Sequence, residues 1–169
     1  MTGPQDKPAG LVGDANVLID YVNADRSVLS LISRHLATIH VPSPVLGQVD
    51  QLSESDAALL GIVVVEPTLD QALEAGAGER PTSFQDRLCL IVARGAGWSV
   101  LTNDTALRRA CKEAGIPCVW GMEAMAILVD EGRLSPARAM RVAEGIARSN
   151  RFITQSILDR FRKRVGLRL

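Results

Sequence analysis

Short apolar segments alternate with helix-length stretches along most of this chain, and no other feature limits its folds as much. Five segments have the length and character of strands: 9–13 (AGLVG), 38–41 (TIHV), 62–66 (IVVVE), 98–102 (WSVLT) and 117–120 (PCVW). Between them the spacing predicts helices. One begins over 16–21, and another carries the stripe Val28, Leu29, Leu31, Ile32 and Leu36. Shorter ones fall near 45–52 and 55–60, then come 69–77, 84–93 capped by Ser83, and 104–114 stopped by Gly115. Single strands separated by helices pair in parallel through right-handed crossovers. The expected fold is therefore α/β, a three-layer α/β/α sandwich with a mostly parallel sheet, occupying 9–134. The three successive valines of 62–66 suit a strand buried within that sheet. From Met122 onward the pattern is helical throughout: 123–131, 136–148 with Ser135 as cap and Pro136 in the first turn, and 153–165. Residues 135–169 thus read as a C-terminal helical extension packed on the same domain. The first eight residues are polar and read as loose.

Composition narrows the function classes. A length of 169 residues fits one domain with a real core. Aromatic residues make up only 4%, too few for a platform of several stacked bases. Net charge is zero but unevenly spread. From Arg148 onward seven basic residues (Arg148, Arg151, Arg160, Arg162, Lys163, Arg164 and Arg168) face a single acid, Asp159. The rest of the chain holds 12 basic and 18 acidic groups. An acidic body with a basic tail suits a metal site beside a phosphate-binding surface, and equally a solvated Arg-rich helix. The three cysteines lie in no zinc-binding spacing and cannot all pair, which points to a reducing compartment. With no signal-peptide pattern, and no apolar run near the ~20 residues of a membrane helix, the expected location is cytoplasmic, with no membrane partner.

Three aspartates stand at comparable places. Asp14 follows the strand AGLVG directly, Asp104 follows WSVLT after one intervening residue, and Asp86 lies in the first turn of the helix that precedes WSVLT. Parallel neighbouring strands would release Asp14 and Asp104 at one edge of the sheet, where such folds place their ligands. Carboxylates gathered there repel one another unless cations join them. An oxygen-only set without His or Cys suits Mg²⁺ or Mn²⁺ rather than zinc. Each acid has a plainer reading as a helix cap or dipole partner.

The segments GDANVLIDY and SFQDRLCLIVARGAGWSVLTNDTALRRACKEAGI carry a resemblance beyond spacing. The sequence from Leu11 to Leu134 resembles the PIN domain, whose pattern is a strand-end Asp, an Asp opening a helix and a T-x-D after a strand. The resemblance implies an α/β/α sandwich and a Mg²⁺- or Mn²⁺-dependent endoribonuclease, toxin halves of bacterial toxin–antitoxin pairs among its relatives. It assigns catalysis to Asp14, Asp86 and Asp104, with Asn16 and Thr102 as small polar neighbours of the metals. RNA is the implied partner, an antitoxin or other protein a further one, and a homodimer is compatible. In HVPSPVLGQVDQL, Gln48 stands where the family's second acid is expected. Asp50 is the nearest replacement ligand, with Glu54 on its helical face. Gln48 leaves open a degenerate, non-catalytic module that binds RNA or protein, and a small-molecule phosphatase is a third reading.

Other features are less telling. Arg108, one turn after Asp104, would reach either an RNA phosphate or Asp104 itself; Arg87 is similarly placed. His35 and His40 have no metal-spaced partner, and Ser83 and Ser99 have no usable His, so a serine hydrolase is unsupported. The GAG triplets at 76–78 and 95–97 match no phosphate-binding loop and read as turns. The stripe Ile153, Ile157, Phe161 and Val165 reads as core or a docking face.

Overall fold

The computed structural model describes residues 6–79 and 82–168. Residues 1–5 of the stretch expected to be loose, and Pro81 of the loop after residue 77, lie outside them. Five strands, β1 (Leu11–Gly13), β2 (Ile39–Pro42), β3 (Val63–Val65), β4 (Ser99–Thr102) and β5 (Cys118–Trp120), form one all-parallel sheet in the order β3-β2-β1-β4-β5. The expected α/β class and three-layer architecture are what the chain adopts. Leu11, Val12, Val100 and Leu101 are fully buried, so the central pair β1 and β4 is the middle of the core. Register sets Val12 between His40 and Val100.

Helices α1 (Ala15–Asp25) and α2 (Ser27–His35) connect β1 to β2, and α3 (Ser43–Leu46) and α4 (Glu54–Leu59) connect β2 to β3. The long return from β3 to β4 is made by α5 (Leu69–Ala77) and α6 (Phe84–Ala96), and α6 lies against β1, β2 and β4. Helix α7 (Thr105–Ala114) leads into β5. Side-chain caps start most of these helices: Asp14 for α1, Ser53 for α4, Thr68 for α5, Ser83 for α6 and Asp104 for α7. Gly97 and Gly115 end α6 and α7 in left-handed geometry, φ 69° and 68°, which glycine adopts without a Cβ penalty.

Three details differ from the sequence reading. The expected helix over 45–52 is only α3; Gly47 ends it and the chain turns through Leu52, so Gln48 and Asp50 occupy turns. Gly76 and Gly95 lie within the last turns of α5 and α6, not in turns beyond them. The valine run of β3 forms an outer strand, with Val63 45% exposed, rather than a buried one. The crossover order puts it at a margin, beside the exposed Leu59 of α4.

Helix α8 (Gly121–Asp130) follows β5 and packs on α2, α9 (Pro136–Ser149) lies along α1, and α10 (Gln155–Arg164) rests on α8 and α9. Two kinds of contact hold α9. Its buried Val142 and Ile146 each contribute about 1.5–3 kcal/mol by leaving water. The half-exposed Arg138–Asp25 pair, at 2.8 Å, contributes about 1 kcal/mol or less. The apolar stripe therefore dominates. Ile153 and Phe161 are likewise core residues. No helix among the described residues is long and apolar enough to cross a membrane.

Candidate metal centre at the sheet rim

Strand order reverses between β1 and β4, and in a parallel sheet this reversal opens a crevice at the carboxyl ends of the two strands. Asp14 leaves β1 there, and Thr102, Asn103 and Asp104 leave β4 beside it. One hydroxyl joins the two strand ends. Thr102 Oγ1 donates to Asp14 Oδ2 at 2.5 Å and accepts from the backbone N–H of Asp104 at 2.9 Å. Asp14 Oδ1 accepts from Val17 N at 2.8 Å, and Asp104 Oδ1 accepts from Leu107 N at 2.7 Å. Both aspartates are thus helix caps, as the plainer reading had it, and each keeps lone pairs for a further partner.

Helix α6 brings the third acid. Its Cys89 directs Sγ at Gly13 O, 3.9 Å away, which seats the first turns of α6 against the end of β1. Asp86 lies one turn before Cys89. Burial pushes the Asp14 carboxyl up to about 7; the hydrogen bonds from Thr102 and Val17 oppose this, and the charges of Asp86 and Asp104 add to it. The rim therefore holds one buried carboxyl that feels the charges of two further acids. Among the described residues, however, no three His, Cys, Asp or Glu side chains stand close enough to cage a metal ion. Mg²⁺ does not need such a cage, because it takes one or two carboxylates and keeps waters at its other positions. In donor chemistry the three aspartates fit that requirement.

The remaining expected site residues are scattered. Asn16 is exposed in the first turn of α1, close to the crevice. Gln48 and Asp50 are exposed in turns after α3, and Glu54 opens α4; the charges that act on Asp14 are those of Asp86 and Asp104. With the helix over 45–52 absent, the argument that paired Asp50 with Glu54 on one helical face does not hold. Arg108 makes no ion pair with Asp104 among the described residues and lies over the Trp120 ring, 5.0 Å from its centroid. Arg87 is committed to backbone oxygens: Nε donates to Ala75 O at 2.6 Å and Nη1 to Thr82 O, holding together the ends of the loop between α5 and α6. A Cβ on Gly78 would collide with that Arg87 side chain. His40 stacks on Trp98 at 3.7 Å. Of the basic tail, Arg162 and Arg164 are bound to the body, through Glu144 and through Glu123 with Asp130.

Sequence reasoning missed the polar network beneath the rim. Buried Asp20 accepts from Asn103 Nδ2 at 2.9 Å and from Asn150 Nδ2 at 3.0 Å, tying the end of β4 to the turn between α9 and α10. Burial holds the Asp20 carboxyl above its ordinary value, although both amides work against this. Beside it, Tyr21 Oη donates to Gly121 O at 2.6 Å. The signal was an acid inside the apolar run NVLIDY, on the buried side of α1. No protein-family model matches this chain, and no curated protein matches it.

Proposed function

We propose that the chain is a PIN-type, Mg²⁺- or Mn²⁺-dependent endoribonuclease acting in a reducing, cytoplasmic setting. The observation that carries this reading is the buried Asp14 at the crevice where strand order reverses, joined through the Thr102 hydroxyl to the strand end that bears Asp104. A carboxyl raised by burial, and further by neighbouring acids, marks a place where a cation is favoured and a functional site is to be sought. Asp86 and Asp104, at two helix starts, and Asp14 in its deprotonated form would hold the cation. Thr102 fixes the orientation of Asp14. Bound magnesium or manganese supplies an activated water and neutralises charge on the phosphodiester. Removing any one acid takes away one oxygen ligand and one negative charge, which weakens the hold on a divalent ion.

The test is Mn²⁺-dependent cleavage of a single-stranded RNA by the whole chain. We expect cleavage, abolished by chelator and reduced at least about a hundredfold by Asp86→Asn or Asp104→Asn. Cleavage that Asp86→Asn leaves unchanged overturns the assignment. A second reading, a non-catalytic module that binds RNA or a protein such as an antitoxin, is favoured by Gln48 and by the open spacing of the acids. Calorimetry separates the two: Mn²⁺ binding in the micromolar range supports the enzyme, and millimolar or absent binding supports the module.

A further inference from the structure

Next to the rim lies a cleft of 630 Å³ whose walls come from α1, the start of α7 and the turn between α9 and α10. We propose that it seats one nucleotide of a single-stranded polynucleotide, the base on Phe152 and the flanking phosphates on Arg109 and Arg151. The inference rests on the nuclease reading for its context, since Asp104 lines both the cleft and the rim.

Phe152 is 64% exposed, whereas Ile153 beside it is 5% exposed, so the turn sends one side chain into the core and its neighbour into the cleft. An exposed phenylalanine alone decides nothing, because single apolar residues are common on surfaces. Its company decides more. Arg151 lies over the Phe152 ring, 5.1 Å from the centroid, and Arg109 faces the same space. Neither arginine has an acidic partner among the described residues, while Arg94, Arg138, Arg162 and Arg164 are all paired. Two guanidinium groups without an ion-pair partner among the described residues, beside a largely exposed aromatic ring, match the demands of a stacked base with phosphates on either side; Asp104 is an acid that shares the cleft with them.

The wall is also fixed in place. Asn150 Oδ1 accepts from Phe152 N at 3.1 Å, and its Nδ2 donates to Asp20, which holds Asn103 at the end of β4. Asp20 is thereby turned inward and does not confront a phosphate. The volume falls within the roughly 300–1,000 Å³ usual for small-ligand sites. Arg109 belongs as well to the open groove lined by Arg108 and Lys112. A strand leaving the cleft on that side passes Arg108 and Lys112, with Glu113 and Glu123 on the same lining.

Fluorescence anisotropy of the whole chain with 5′-fluorescein-labelled decauridylate, and with its deoxy counterpart, tests this in EDTA, where no cleavage intervenes. Phe152→Ala is expected to weaken binding by about 5-fold or more, and Phe152→Trp to keep it. Arg109→Ala and Arg151→Ala should each lower the slope of log affinity against log salt by about 0.7. Loss in both oligonucleotide arms supports a site indifferent to the sugar, and loss in the RNA arm alone supports one that reads the 2′-hydroxyl. No binding by the unaltered chain, or Phe152→Ala binding as tightly with an unchanged circular-dichroism melt, overturns the proposal. The two readings fail separately. Mn²⁺-dependent cleavage with binding blind to Phe152 sinks the cleft alone, and Phe152-dependent binding without cleavage sinks the nuclease alone.

Discussion

Asp14 shows how one buried carboxyl couples folding to protons. Its ordinary value of 3.8 applies in the unfolded chain, and in the folded chain burial moves it to about 7. Between those limits folding takes up a proton, so the stability from this group is full below about pH 4 and declines as pH rises toward 7. The decline amounts to at most about 4 kcal/mol. Denaturant unfolding in EDTA should therefore give lower stability at pH 8 than at pH 5, and Asp14→Asn should flatten that difference. An equally steep slope in the variant would assign the proton to another group. If Asp14 holds a metal as proposed, the cation displaces this proton, and Mn²⁺ affinity measured by calorimetry should increase through pH 7. The acid's place at a strand end was legible in the sequence, since AGLVG runs straight into Asp14. The partnership with Thr102 was legible only as a family resemblance. Neither its hydroxyl bridge nor the inward role of Asp20 could be read, because both depend on which strands become neighbours.

At the scale of elements, β5 and the start of α8 meet the rim through a glycine. A Cβ on Gly121 would lie 2.5 Å from Asn103 Oδ1 and 3.0 Å from Val17 Cγ2, both inside the packed interior. Gly121→Ala should accordingly destabilise by about 1–3 kcal/mol, read as a lower urea midpoint at unchanged slope. A midpoint equal to that of the unaltered chain would mean that α8 shifts freely. Strand and helix positions were readable to within a few residues because caps such as Ser83, Asp104 and Ser135 and stops such as Gly115 act locally. The segment over 45–52 misled for the same local reason. Its apolar residues Val45, Val49 and Leu52 are spaced for a helix, yet Gly47 ends α3, so Val45 reaches the core from α3 while Val49 and Leu52 reach it from the irregular stretch beyond. Arg108 misled differently: a neighbour one helical turn away was nearer in sequence than Trp120, which the sheet brings within reach.

For the molecule as a whole, the parallel sheet and its layers follow from alternation alone, whereas strand order does not, and strand order decides what lies at a margin. The row of valines in β3 ended up outermost, with Leu59 of α4 and Leu69 and Leu73 of α5 also open to water. An outermost strand offers its free backbone groups to any other copy that drifts past. At three residues β3 can lend few such bonds, so clumping should set in gradually with concentration instead of at a threshold. Light scattering on a dilution series should show apparent mass climbing for the native chain, and Val63→Lys should hold it flat. A stock kept for the assays above will stay clear longest when it is kept thin.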